Sequence, residues 1–238
     1  MILFIKLLLS HLLGDFIWQP NSWVTDKEAK KHKSIYLYFH ILLHGILAAV
    51  LVWEVQFIPY AVLIALTHGI IDLIKLNFQK NTTKRTWFIV DQILHLLVLT
   101  GIVFLYENKT IYMFWIDNRF WILITGFLFI TKPISILIKT IISVWNPENS
   151  NNDSDNSLAN AGNYIGILER LFVFCFILTG HFEAIGFLLA AKSIFRFGDL
   201  KEAKDRKLTE YVLIGTLISF GSAIITGLIV QGLLLQLL

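Results

Sequence analysis

Charge and cysteine are what this chain has least of. Charged residues fill 16% of its 238 positions, against about 25% in an ordinary soluble domain, while 56% are apolar or aromatic and mean hydropathy is +0.68. A soluble globule of this size cannot hide that much apolar surface. The single cysteine, Cys175, excludes a disulfide scaffold, and its place in Phe172-Val173-Phe174-Cys175-Phe176 marks it as a small packed residue. Also missing is a basic helix interleaved with exposed aromatics. The net charge of +3 and pI near 8.9 therefore point to lysines at a membrane surface and to no nucleic-acid partner. The opening stretch 2–18 lacks the basic start and small-residue cleavage site of a signal peptide. It carries His11 and Asp15 in its apolar body, so a membrane helix of the mature protein is expected there.

What the chain does have is a series of apolar stretches near the roughly 20 residues that cross a bilayer. The expected fold is all-α, a polytopic transmembrane helix bundle of about seven or eight membrane helices. The spans fall at about 2–18, 35–57, 60–77, 87–106 and 119–144, with Pro59 suited to a first helical turn. Segment 110–118 reads as interfacial, and 146–162, rich in Asn, Ser and Asp, as a flexible polar linker. These breaks suggest a four-helix domain over 1–106, an interfacial segment plus fifth helix over 107–145, the linker, and C-terminal membrane helices over 163–238. Trp18, Trp23, Tyr36, Trp53 and Trp87 lie near span ends, as an aromatic belt requires.

Basic residues set an orientation. Lys27, Lys30, Lys31 and Lys33 follow the first span, and Lys75, Lys80, Lys84 and Arg85 follow the third. The second connection has Glu54 and no lysine or arginine, so the first and third loops are expected in the cytoplasm and the N-terminus outside. Loop 192–207 is basic too, with Lys192, Arg196, Lys201, Lys204, Arg206 and Lys207. Parity keeps it cytoplasmic only if 164–191 is a hairpin of two short helices, crossing or re-entrant, broken near Thr179-Gly180-His181. The final helix, about 209–236, then ends outside.

Ionisable residues inside spans are expensive and functional by default. Here they repeat: His11 with Asp15, His40 with His44, His68 with Asp72, and Asp91 with His95. Each i, i+4 pair lies on one helix face, about 6 Å apart along the axis. Counting from the span ends places Asp15, His40, Asp72 and Asp91 at one depth near the cytoplasmic side. His11, His44, His68 and His95 then lie about one turn deeper. Two readings stand: a metal centre, or a hydrogen-bonded or proton-relay network without metal. Nitrogen and oxygen donors without thiolate suit Zn²⁺, Mn²⁺ or Fe²⁺, and eight candidates allow one ion or two. Gln19 and Gln92 adjoin the set and are placed to hold waters or a substrate head group, while Gly14, Gly45 and Gly69 suit close helix approach.

The strings His11-Leu-Leu-Gly-Asp15-Phe-Ile-Trp-Gln19, Thr67-His68-Gly-Ile-Ile-Asp72 and Asp91-Gln92-Ile-Leu-His95 resemble the bacterial membrane family catalogued as domain of unknown function 3307, over about residues 3–105. The runs Ala190-Ala-Lys192-Ser193-Ile-Phe-Arg196-Phe and Glu210-Tyr211-Val-Leu-Ile-Gly215-Thr216-Leu resemble its longer members. That family implies a bacterial inner membrane and no established activity. By residue type the chain is also similar to predicted membrane-bound metal-dependent hydrolases, themselves likened to helical zinc phospholipases C. It departs from them in having histidine at both positions of the second pair.

Three functions are open at this stage. In the first, a metallohydrolase cleaves a lipid-linked ester or phosphoester at the cytoplasmic leaflet. Asp15, Asp72 and Asp91 with the histidines are its ligands, and an unmetallated carboxylate or His40 is its general base. Lys192 and Arg196 either snorkel to lipid phosphates or capture an anionic substrate. Glu169 and Arg170 read as a structural ion pair or a closure of the hairpin, whose partner arm carries Glu183. The second function is a metal-ion or proton transporter, against which the polar set stops halfway, with only Glu54 and Glu107 counted near the other face. The third is a metal-stabilised scaffold. Oligomeric state is not encoded in any of these features.

Overall fold

The computed structural model describes residues 1–106, 117–145, 156–197 and 205–237. Among them there is helix and no strand. Among the described residues six helices are long and apolar enough to cross a bilayer, or seven if the bent pair at the N-terminus counts as one span. The chain is an integral membrane protein, and it divides into two compact units, Met1–Trp121 and Ile122–Leu238.

The first unit is a closed ring of four helices. Helix α1 (Ile2–Leu12) runs into a π-helical turn (Leu13–Ile17), α2 is Asn21–Lys30, α3 Ile35–Val52, α4 Ile58–Phe78 and α5 Lys84–Tyr106. Helix α1 packs on α3, α3 on α4, α4 on α5, and α5 on α1. Pro59 sits in the first turn of α4, where its missing N–H costs nothing. The burial pattern inverts that of a soluble bundle. Helix α3 turns Phe39, Leu42, Ile46 and Val50 outward and His40, His44, Leu47 and Ala48 inward. Away from the polar pairs, Leu3, Leu7, Val52, Phe57, Ile64, Leu99, Ile102 and Val103 form a continuous apolar core.

Helix α2 corrects the expectation of a simple basic loop. The chain bends by 82° after the π turn, and Trp23 stacks on Tyr36 at 5.4 Å between ring centroids. Lys27 is thereby buried instead of facing solvent. Lys75, counted as a loop residue from the sequence, lies inside α4, because the helix continues to Phe78.

In the second unit α6 is Asn118–Phe129, α7 Lys132–Ile142, α8 Asn156–Thr179, α9 Phe182–Phe197 and α10 Asp205–Leu235. Helices α7 and α8 both pack on α10, and α8 packs on α9. The expected break near Gly180 is present, but its first arm, α8, is a 24-residue helix instead of a short one: Gly180 takes φ +78°, and the His181 N–H bonds to the Phe176 carbonyl at 2.8 Å, which closes α8 with a left-handed cap. Helix α9 has 16 residues, too short to count among the six. Residues 146–155 of the expected linker and most of segment 110–118 lie outside the described residues, whereas 156–162 are helical and begin α8. Leu158, Ala159 and Ala161 supply the helix propensity that the asparagines around them lack.

The fifth expected span is not one continuous helix. It breaks at Ile130 and Thr131, just ahead of Pro133, which donates no hydrogen bond and crowds the carbonyl four residues earlier. Arg170, buried on α8, stitches the break. Its Nε donates to the Ile130 carbonyl at 2.6 Å, and Nη2 donates to the Thr131 carbonyl and to Ser135 Oγ. Nη1 donates to Ser219 Oγ at 3.0 Å. The partner of Glu169 is Lys192, and Glu183 lies exposed, 3.5 Å from the His181 ring. Arg170→Met should destabilise the protein by on the order of 3 kcal/mol, since bare carbonyls in an apolar interior find no other donor. Thermal unfolding of the purified protein in detergent measures this, with Arg170→Lys recovering part of the loss.

Candidate metal centre

All four polar pairs point into the first unit. Their side chains belong to α1 and its π turn, α3, α4 and α5, and among the described residues they form one connected cluster. His11, His40, His44, His68, Asp72, Asp91 and His95 are each no more than 5% exposed, and Asp15 is slightly more open. The two layers expected from depth counting merge, because Asp15 reaches both. The π turn that carries it holds more residues per turn than an α-helix and shifts the register of everything after Leu12.

Asp15 is the hub. Its Oδ1 lies 3.0 Å from His44 Nε2, 3.1 Å from His40 Nε2 and 3.4 Å from His68 Nε2, and its Oδ2 is 3.7 Å from His11 Nε2. His40 and His68 bring their Nε2 atoms within 3.0 Å of each other. Above them the rings stack, His44 on His68 at 3.6 Å and His68 on His95 at 4.0 Å. Gln92 bonds His11 through its carbonyl oxygen and donates its amide to Asp15, both at 3.2 Å. Gln19 donates to His40 at 3.1 Å.

Three donor groups lie close enough to share an ion: His11 with Asp15, His44 and His68; His40 with His68 and Asp72; and Asp15 with Asp91 and His95. The first suits a tetrahedral ion best. Metal–ligand bonds of 2.0–2.1 Å imply ligand atoms about 3.3 Å apart. The Nε2 atoms of His44, His68 and His11 stand 3.0, 3.4 and 3.7 Å from the Asp15 carboxylate oxygens, on either side of that distance. Their protons also conflict. If His40 and His68 share a hydrogen bond, the accepting nitrogen turns its lone pair on the Asp15 oxygen; if they do not, two like nitrogens meet at 3.0 Å. A cation shared by Asp15 and His68 relieves that conflict by accepting lone pairs from both. Asp91 Oδ1 and both ring nitrogens of His95 are buried without a hydrogen-bond partner from the protein, and His95 also lines a cavity of about water size together with His11, His44 and His68.

Two site residues were not foreseen. Lys27 Nζ donates to Asp72 Oδ2 at 2.9 Å, and Lys75 Nζ to Asp91 Oδ2 at 2.8 Å. Lys75 was signalled by its position three residues after Asp72, on the same face of the helix. Lys27 had no such signal, because its direction depends on the bend before α2. Lys6 was also overlooked: it is buried near the start of α1 and lies over the Trp121 ring. Tyr106 donates to Glu54 near the same end of the ring. Of the two cations expected to meet substrate, Lys192 is engaged by Glu169 in the second unit. The side chain of Arg196 lies outside the described residues.

The family model described as "Protein of unknown function (DUF3307)" matches residues 3–123, the stretch that carries every member of this cluster. No curated protein and no solved structure matches the chain.

Gly14 packs against a cluster member itself, for a Cβ placed there would lie 2.5 Å from the His44 ring. A Cβ at Gly45 would meet Ala65 at 3.1 Å, and one at Gly69 would meet only the mobile end of Ile41. Gly14→Ala should therefore cost about 1–3 kcal/mol in a detergent unfolding experiment. Gly101→Ala, with nothing within 4 Å of the new methyl, should be neutral or slightly stabilising.

Proposed function

The chain belongs to the DUF3307 family, and from that premise we propose that it is a membrane-embedded, metal-dependent hydrolase acting on a lipid-linked ester or phosphoester at the cytoplasmic leaflet. The observation that carries the reading is the convergence of Asp15 with His11, His44 and His68 inside a bundle whose outer surface is apolar. A bilayer-embedded cluster of imidazoles and carboxylates is too expensive to keep for packing alone. The basic residues near both α2 and the α4–α5 connection support a cytoplasmic setting for this end of the ring.

Zn²⁺, or Mn²⁺ or Fe²⁺, bound to the Asp15 group would act as a Lewis acid on an ester oxygen and lower the pKa of water. The residues supply the rest. Asp91 Oδ1, without a hydrogen bond from the protein and with Oδ2 held by Lys75, would take a proton from the attacking water. Gln92 holds Asp15 and His11 in position, and Gln19 does the same for His40. The apolar core of Leu7, Val52, Ile64, Leu99 and Ile102 beyond the cluster favours a one-sided reaction site over a transport path.

The purified full chain should carry a divalent transition metal by elemental analysis, and Asp15→Asn and His68→Ala should abolish it. Asp91→Asn should keep the metal and lower hydrolysis of a lipid-phosphate panel by about 10²–10⁴-fold. Freshly purified protein without metal would end the hydrolase reading. Bound metal with no hydrolysis would favour the scaffold, and flux into proteoliposomes the transporter.

A further inference from the structure

Three carboxylates meet in the cluster, yet they are not equivalent. Asp72 and Asp91 each hold a lysine ammonium, at 2.9 and 2.8 Å, in the place where a second and a third cation would bind. Among the described residues no lysine is ion-paired with Asp15, whose neighbours within 4 Å in such pairs are all histidines. With neutral imidazoles, three carboxylates against two ammoniums leave a single negative charge. One divalent ion turns that into a single positive charge, whereas two ions would leave three. Unpaired charge of that size is not sustained inside a bilayer.

We infer that the centre takes one divalent ion, on Asp15 with His11, His44 and His68, that Lys27 and Lys75 stand in for further ions at Asp72 and Asp91, and that the loaded centre accepts an anionic group such as a phosphate ester. The inference rests on the metal-centre reading above and adds to it a stoichiometry and a ligand charge. Lys27 arrives from α2, outside the four-helix ring, so this built-in cation depends on the 82° bend that folds α2 over the cluster. The ammonium is also a donor, and with Lys75 it borders the side of the cluster on which an anion would neutralise the surplus charge.

The test is a count of Zn²⁺ per chain, made on full-length protein in detergent after chelation, reloading and desalting. Wild type should hold one ion and Asp72→Asn one. Lys27→Met should hold two, because Asp72, in the donor group with His40 and His68, then regains a cation position. Lys75→Met, which frees Asp91 and His95, gives the same reading should Lys27→Met fail to accumulate. Without zinc the Lys27→Met protein should melt below wild type, and zinc should restore more of its stability than it adds to wild type. Millimolar inorganic phosphate should raise the melting temperature of zinc-loaded wild type and leave the zinc-free protein unchanged.

Two ions in wild type, or one in both lysine variants, overturns the inference and leaves the metal centre standing. No ion in wild type removes the reading beneath it. An equal phosphate effect with and without zinc overturns the anionic ligand.

Discussion

A carboxylate ringed by imidazoles, inside a bundle that faces outward with Phe39, Leu42, Ile46 and Val50, is the constraint around which the first unit is built. Water would separate these groups cheaply; an apolar bundle cannot. Each polar atom must find its partner on a neighbouring helix, and that requirement fixes the rotation of α1, α3, α4 and α5 about their own axes more firmly than apolar packing does. Beyond the cluster the same four helices pack through a continuous apolar core, with Lys6 over the Trp121 ring and Tyr106 bonded to Glu54 at its far end.

Close approach is the second condition. Gly14, in the π turn, lies directly against the His44 ring of α3, which occupies the space a Cβ would need one residue before Asp15. The π turn completes the arrangement by presenting Asp15 to three histidines of two other helices, a reach that a regular turn would divide between two layers. Local backbone irregularity and a missing Cβ thus serve one atom, Asp15 Oδ1.

Much of this was legible in the sequence. Spacing of i, i+4 in four successive apolar stretches named every one of the eight clustered side chains, because that spacing defines a helix face whatever the tertiary context. The hairpin near Gly180 was legible from charge and parity. What stayed hidden depended on direction. Lys27 and Lys75 could be counted as basic, but a count does not say which way a stem turns, and both turn inward to aspartates. The π turn has no compositional signature in Leu13-Gly-Asp-Phe-Ile17. Arg170 stands beside Glu169 in the sequence, yet its partners are carbonyls in the α6–α7 break and hydroxyls on α7 and α10, groups every residue or many residues carry and no pattern can single out.

The stitched break between α6 and α7 also orders events during synthesis. The Ile130 carbonyl receives its Arg170 hydrogen bond only after 40 more residues have been made, and the guanidinium itself waits for Ser219, a further 49 residues along. As the chain leaves the ribosome, the span from Asn118 to Ile142 therefore enters the lipid incomplete, and its final shape is set from its C-terminal side, by α8 and then α10.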